Sequence, residues 1–162
     1  MMPNFSFGTA MTTYAGQNVG AQRFDRVEEG AKQGTLIAVV VSAVLTGTIL
    51  LFGRYLMGIF TNTPALVHLS MHLMLILSVG YIAMAVTQSL SGVMRGAGDT
   101  MTPMWISLLT TVGIRVPVAY GISWLTRTDT LPNGNQDCVY ISLLISWLLG
   151  ALAVLSAGRM EE

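Results

Sequence analysis

Residues 34–53 read Gly34-Thr35-Leu36-Ile37-Ala38-Val39-Val40-Val41-Ser42-Ala43-Val44-Leu45-Thr46-Gly47-Thr48-Ile49-Leu50-Leu51-Phe52-Gly53, a run without a single charge. A helix needs ~20 mostly apolar residues to cross the hydrocarbon core of a bilayer. This stretch meets that length alone, then continues past Arg54 to Phe60. Three more stretches have the same character. One spans about 65–94, with His68 and His72 confined to its opening turns. Another spans about 103–125 and holds one charge, Arg115; the last spans 138–158 and holds none.

The rest of the composition agrees. Of 162 residues, 52% are hydrophobic and 10% charged, with a mean hydropathy of +0.63, whereas soluble domains carry about 25% charged residues. Such a chain is neither disordered nor a soluble globule. Eight basic residues balance eight acidic ones, so there is no basic surface to neutralise phosphates and no nucleic-acid partner is expected. A single cysteine excludes a disulfide framework and multi-cysteine metal motifs. The fold class expected is an all-α integral membrane protein with the bilayer as its first partner. It comprises four transmembrane helices in 34–158 (34–60, 65–94, 103–125 and 138–158), an N-terminal portion 1–33 and a tail 159–162.

Boundary chemistry supports the division. Thr63-Pro64 and Thr102-Pro103 each offer an N-cap hydroxyl followed by proline at a first helical position, and Asp137 is placed to cap the last helix. Leu131-Pro132-Asn133-Gly134-Asn135 is a turn signature. With the N-terminus inside, Arg23, Arg26, Lys32, Arg95 and Arg159 are cytoplasmic, against Arg54 and Arg127 outside. The positive-inside rule therefore puts both termini in the cytoplasm of a multi-pass protein of the cell (inner) membrane. Phe5 to Tyr14 is too short and too weakly apolar to span, and lacks the organisation of a signal peptide. Met1-Met2-Pro3 looks like the cut end of a longer membrane helix, a remnant of a fifth. The charged segment reaching Lys32 reads as a short interfacial helix.

Small residues recur at spacing four, as helix contacts in lipid require. They are Ser142, Ser146 and Gly150 in the last span; Ala38 with Ser42 and Ala43 with Gly47 in the first; and Ser78, Ala85, Ser89 and Gly92 in the second, with Tyr81 and Gln88 beside them. Arg115 is the exception to an apolar third span, where a basic side chain costs about 2.5–3.5 kcal/mol at the bilayer centre. Ser107 and Thr111 precede it at spacing four, predicting one shared polar face. Pro117 cannot donate to the carbonyl of Gly113, which predicts a kink beside the charge. Arg115 is either a lining residue of a transport pathway or a structural arginine bonded to freed carbonyls. No Asp or Glu lies in any of the four spans, although cation coupling ordinarily uses an intramembrane carboxylate. His68 and His72 share a face but lack a third ligand, so no metal site is expected. Gly92-Val93-Met94-Arg95-Gly96-Ala97-Gly98-Asp99-Thr100 lacks the Gly-Lys-Ser/Thr ending of a phosphate loop. No catalytic constellation is visible, and no enzyme is expected.

Three segments together resemble the multidrug and toxic compound extrusion (MATE) transporters. Gly16-Gln17-Asn18-Val19-Gly20-Ala21 resembles the family's cytoplasmic loop between the second and third helices of a lobe. Gly92, Arg95-Gly96 and Gly98-Asp99-Thr100 resemble the loop between the fourth and fifth, and Arg115-Val116-Pro117 with Ala119-Tyr120 resembles its Arg-x-Pro-x-x-Tyr segment. The resemblance implies twelve helices in two lobes, with this chain running from the end of helix eight through helix twelve. It also implies export of organic cations and other drug-like compounds against Na⁺ or H⁺ by alternating access. The first lobe would then be a partner, and the coupling-ion site would lie outside this chain. On this reading the glycines at 16, 20, 92, 96 and 98 permit tight turns, and Arg95 and Asp99 pair at the membrane surface. Tyr81, Gln88, Ser107, Thr111 and Arg115 are the pathway candidates. The competing readings are a small accessory or assembly protein without transport activity, and a relative of lipid-linked oligosaccharide flippases.

Overall fold

The computed structural model describes residues 2–60, 63–126 and 137–159, and every element in them is helical. In chain order these are α1 (Met2–Gly20), α2 (Phe24–Phe60), α3 (Pro64–Ala97), α4 (Met101–Leu108), a π-helical segment (Leu109–Ile114), α5 (Arg115–Leu125) and α6 (Asp137–Arg159). The four apolar stretches form the four helices long and apolar enough to cross a membrane: α2, α3, α4 through α5, and α6. Arg127 and the turn signature at 131–135 lie outside the described residues.

The charged segment before residue 34 is not a separate interfacial helix. It forms the first turns of α2, because Glu28 pairs with Lys32 and Glu29 accepts from Gln33 at 2.9 Å along one helix surface, and no breaker follows. The loop expected at 16–21 is also shorter than its glycines suggest. Gly16 and Gly20 are helical, and the chain reverses over 21–23. There the amide of Arg23 donates to the carbonyl of Asn18 at 2.8 Å and that of Gln22 to Val19 at 2.9 Å. Gln22, at φ 57°, takes the left-handed position. The same closure ends α3, where Asp99 donates to Met94 and Gly98 to Arg95 with Gly98 at φ 101°. This pattern satisfies the terminal carbonyls of a helix.

α3 is the hub. α1 runs parallel to it, and the glycines there serve close approach, not turning. A Cβ on Gly92 would lie 2.3 Å from the carbonyl oxygen of Gly8, and one on Gly96 2.4 Å from that of Thr12. α2 lies antiparallel to both. Its Gly30 and Gly34 receive Tyr14 and Met11 of α1, whose nearest atoms stand 2.1 and 2.4 Å from where Cβ atoms would be. Tyr14 also donates its hydroxyl to the Arg26 carbonyl at 3.0 Å. Polar links cross the contacts: Ser42 donates to Asn4 Oδ1 at 2.8 Å, Asn4 Nδ2 donates to the Tyr81 carbonyl at 3.2 Å, and Thr35 donates to Ser89 at 3.1 Å. Interhelical bonds of this kind stabilise bundles in lipid by about 0.6 kcal/mol each on average.

Of the small faces, Ala38 with Ser42 and Ala85 with Ser89 and Gly92 are buried. Ala43 is exposed and nothing stands within 4 Å of a Cβ on Gly47, so that face points out of the bundle. Ser78 bonds within its own helix, to Leu75 at 2.6 Å. Ser142, Ser146 and Gly150 are buried as α6 runs parallel to α3, with Trp147 lying over Gly80. Near the start of α6, His72 Nε2 stands 3.4 Å from Asp137 Oδ2.

Candidate functional site

The third span is where the sequence departs from regular helix. Pro117 has no amide hydrogen to give to Gly113, and the strain is absorbed just upstream as the π-helical segment. There the amide of Arg115 reaches back to the Thr110 carbonyl. That oxygen also accepts from Ser146 of α6 at 2.8 Å, while Thr110 Oγ1 donates to Ile106 at 2.8 Å. The predicted kink is thus a π segment tied to the neighbouring helix. π segments frequently mark functional positions in helices.

A cleft of about 770 Å³ opens beside this segment. From α3 it is lined by Met84, Thr87, Gln88, Ser91 and Arg95, a stripe at helical spacing. α4 and the π segment contribute Met104, Ser107, Thr110 and Thr111, α6 contributes Ser146, Trp147 and Gly150, and α1 contributes Phe5. Gly150 keeps its floor open: a Cβ there would stand 3.9 Å from Thr110 Oγ1 and 4.0 Å from Thr87 Oγ1. The hydroxyls of Thr87, Thr110 and Ser146 are already donated to carbonyls of Ala83, Ile106 and Thr110. What they present to the cleft is therefore oxygen lone pairs. An apolar wall with a few such groups is the usual make-up of a small-molecule site.

The structure brings Gln88, Ser107 and Thr111 to this cleft, and Arg95 to its end. It does not bring Arg115 or Tyr81. Arg115 follows directly on the π segment, its amide bonded to Thr110, and is not among the residues that line the cleft. Its side chain is half-buried and meets no hydrogen-bonding or ionic partner among the described residues. Tyr81 instead stacks on Trp147 with ring centroids 5.8 Å apart, and its carbonyl takes the Asn4 bond.

Arg95 and Asp99 do not pair. Asp99 Oδ1 accepts from the amides of Met101 and Thr102 at 3.1 and 3.0 Å, capping α4. A bond from the Thr102 side chain, with those two amides, holds its carboxyl below the usual range. The helix therefore starts before the expected Thr102-Pro103 boundary, because an aspartate two residues before the helix outcompetes the threonine. Gln17 is exposed on α1, and nothing stands within 4 Å of a Cβ on Gly20. Thr87, Ser91, Thr110 and Ser146 escaped the sequence reading as site residues. The 84-87-88-91-95 spacing on α3 was the available signal.

A family model described as MatE matches residues 1–121. The chain is 28% identical over 130 residues to a probable multidrug resistance protein YoeA of Bacillus subtilis, which covers 80% of this chain and 28% of that protein. It is 29% identical over 119 residues to a probable multidrug resistance protein NorM of Thermotoga maritima, covering 74% and 26%. It is 27% identical over 148 residues to a probable multidrug resistance protein NorM of Streptococcus pneumoniae, covering 91% and 31%. The chain thus spans between 26% and 31% of the length of these relatives. With the family model covering all of α1 to α4 and the whole π segment, this multi-pass membrane chain belongs to the MatE family.

Proposed function

We propose that the chain forms the second-lobe part of a multidrug exporter, which moves organic cations and other drug-like compounds outward against Na⁺ or H⁺ by alternating access. The observation that carries this is the cleft: a recess between helices able to cross a membrane, lined by Gln88, Ser107 and Thr111, in a chain whose relatives are named as multidrug resistance proteins. It is not an enzyme on this reading. Its partners are the bilayer, a first lobe and the exported compound, with no nucleic acid among them. The end bearing the α1–α2 and α3–α4 connections faces the cytoplasm of the inner membrane, following the positive-inside rule, with the end of α6 on that side; the expected cytoplasmic N-terminus does not fit α1, whose Met2 end points away from that side along the bundle. The four spans carry no carboxylate, so the coupling-ion site belongs to helices outside this chain.

The test is dye accumulation in cells lacking their own exporters. Expression of the gene's complete reading frame should lower steady-state ethidium, and collapse of the ion gradient should restore it. The 162 residues alone should insert without lowering it. Accumulation equal to the empty vector with the complete frame would overturn the proposal.

A further inference from the structure

The cleft carries a polarity gradient. Phe5, Met84 and Trp147 make its apolar part, Gln88 and Ser91 follow along α3, and Arg95 stands at the end. Met84 to Arg95 covers about 16 Å at the rise of an α-helix. Among the described residues Arg95 is the single formal charge on the cleft wall. Its natural neutraliser, Asp99, is committed to the α4 amides, and no ion pair reaches Arg95 among the described residues. Its guanidinium folds back over α1, 3.5 Å from where a Gly8 Cβ would be, at the level of Gln88 and Gly92, and so points along the recess.

We propose that this cleft binds an amphiphile with an acidic head: the head, a carboxylate or phosphate, sits on the Arg95 guanidinium, and the chain lies along Met84, Phe5 and Trp147. A guanidinium forms charge-assisted, bidentate bonds to such oxyanions. A quaternary ammonium finds no carboxylate among the described residues of the wall, only the ring faces of Phe5 and Trp147 and hydroxyl lone pairs, so the guanidinium makes an acid the better-matched head. The site goes beyond the export reading and does not rest on it, since a ligand held here by its acid group is not an organic cation and binding is measured without transport.

The test is equilibrium dialysis of the complete expressed protein in dodecyl maltoside, an uncharged detergent, corrected against empty micelles. The probes are radiolabelled laurate, dodecyl phosphate, methyl laurate and dodecyltrimethylammonium. Saturable binding of either acid, at least tenfold weaker for Arg95→Gln and retained in Arg95→Lys, is the expected result. Binding of dodecyl phosphate alone assigns a phosphate head, of laurate alone a carboxylate, and of both a site for either. Binding of neither acid overturns the proposal. So does methyl laurate or dodecyltrimethylammonium binding the unaltered protein as tightly as the acids, a comparison that needs no variant to fold. Arg95→Gln binding the acids like the unaltered protein overturns it as well.

Discussion

Gly92 and Gly8 meet backbone to backbone, with the Gly8 carbonyl oxygen 2.3 Å from where a Gly92 Cβ would sit. Neither residue turns the chain there; both let α1 and α3 approach until main chain touches main chain. Because the obstacle is a carbonyl inside a helix, a side chain cannot be accommodated by a change of rotamer.

Gly92→Ala should therefore destabilise the protein by about 1–3 kcal/mol, the range for overpacking a tight contact. Gly47→Ala, with open space around its Cβ, should be neutral or slightly stabilising through helix propensity. Thermal unfolding of the complete protein in detergent checks both, and equal melting temperatures for Gly92→Ala and the unaltered protein would refute the contact.

Ser146 and Ser142 share a buried face of α6 but spend their hydroxyls differently. Ser146 reaches the Thr110 carbonyl across the helix interface, whereas Ser142 bonds Val139 in its own helix at 2.7 Å. Ser146→Ala should cost about 0.6–1.7 kcal/mol, the range for interhelical bonds in membranes, and Ser142→Ala much less. Unfolding of the two single variants of the complete protein in detergent resolves the two, and equal losses would refute the distinction.

The Asp99 cap gives a pH dependence. Hydrogen bonds in the folded state hold its carboxyl below the ordinary carboxylate range. Its stabilising contribution is therefore complete above the unfolded pKa of about 3.9 and is lost as pH falls through the lower folded value. Asp99→Asn should keep a cap and flatten the acid limb of the melting profile; Asp99→Ala should lower stability at neutral pH. An acid limb identical in Asp99→Asn and the unaltered protein would count against the assignment.

Arg115 sits ten residues from the end of α5 with no partner among the described residues, and it is not among the residues lining the cleft. If the export reading holds, Arg115→Ala in the complete protein should reduce export about tenfold, equivalent to about 1.4 kcal/mol, while equilibrium dye affinity stays the same. Efflux rates and equilibrium dye binding separate the two quantities. Export at the level of the unaltered protein would sink this expectation.

The helices were legible in the sequence because hydropathy and length decide them in lipid, and Pro117 marked the place where the third span departs from regularity. The form of that departure was not legible. A proline predicts a freed carbonyl, but whether the helix bends or takes up an extra residue depends on what lies opposite, here Ser146. The glycine motifs were visible as motifs, yet their role depended on α1, whose weak apolar character gave no sign that it packs along α3. Asp99 could pair with Arg95 or cap α4 on spacing alone, and only the three-dimensional path of the turn selects the cap.

The helix contacts of the bundle are made of two kinds of matter. Where α1 meets α3, carbonyl oxygens press on glycines. Elsewhere, Gly53 of α2 meets the sulfurs of Met71 and Met74, at 3.0 and 3.4 Å from its Cβ position. Methionine side chains are flexible and refill a changing gap; peptide groups do not. The α1–α3 seam is therefore the stiff contact of the molecule, and the methionine contacts, Gly53 with Met71 and Met74 and Gly34 with Met11, the compliant ones. Any change of shape that keeps the seam would spend its amplitude at those methionines.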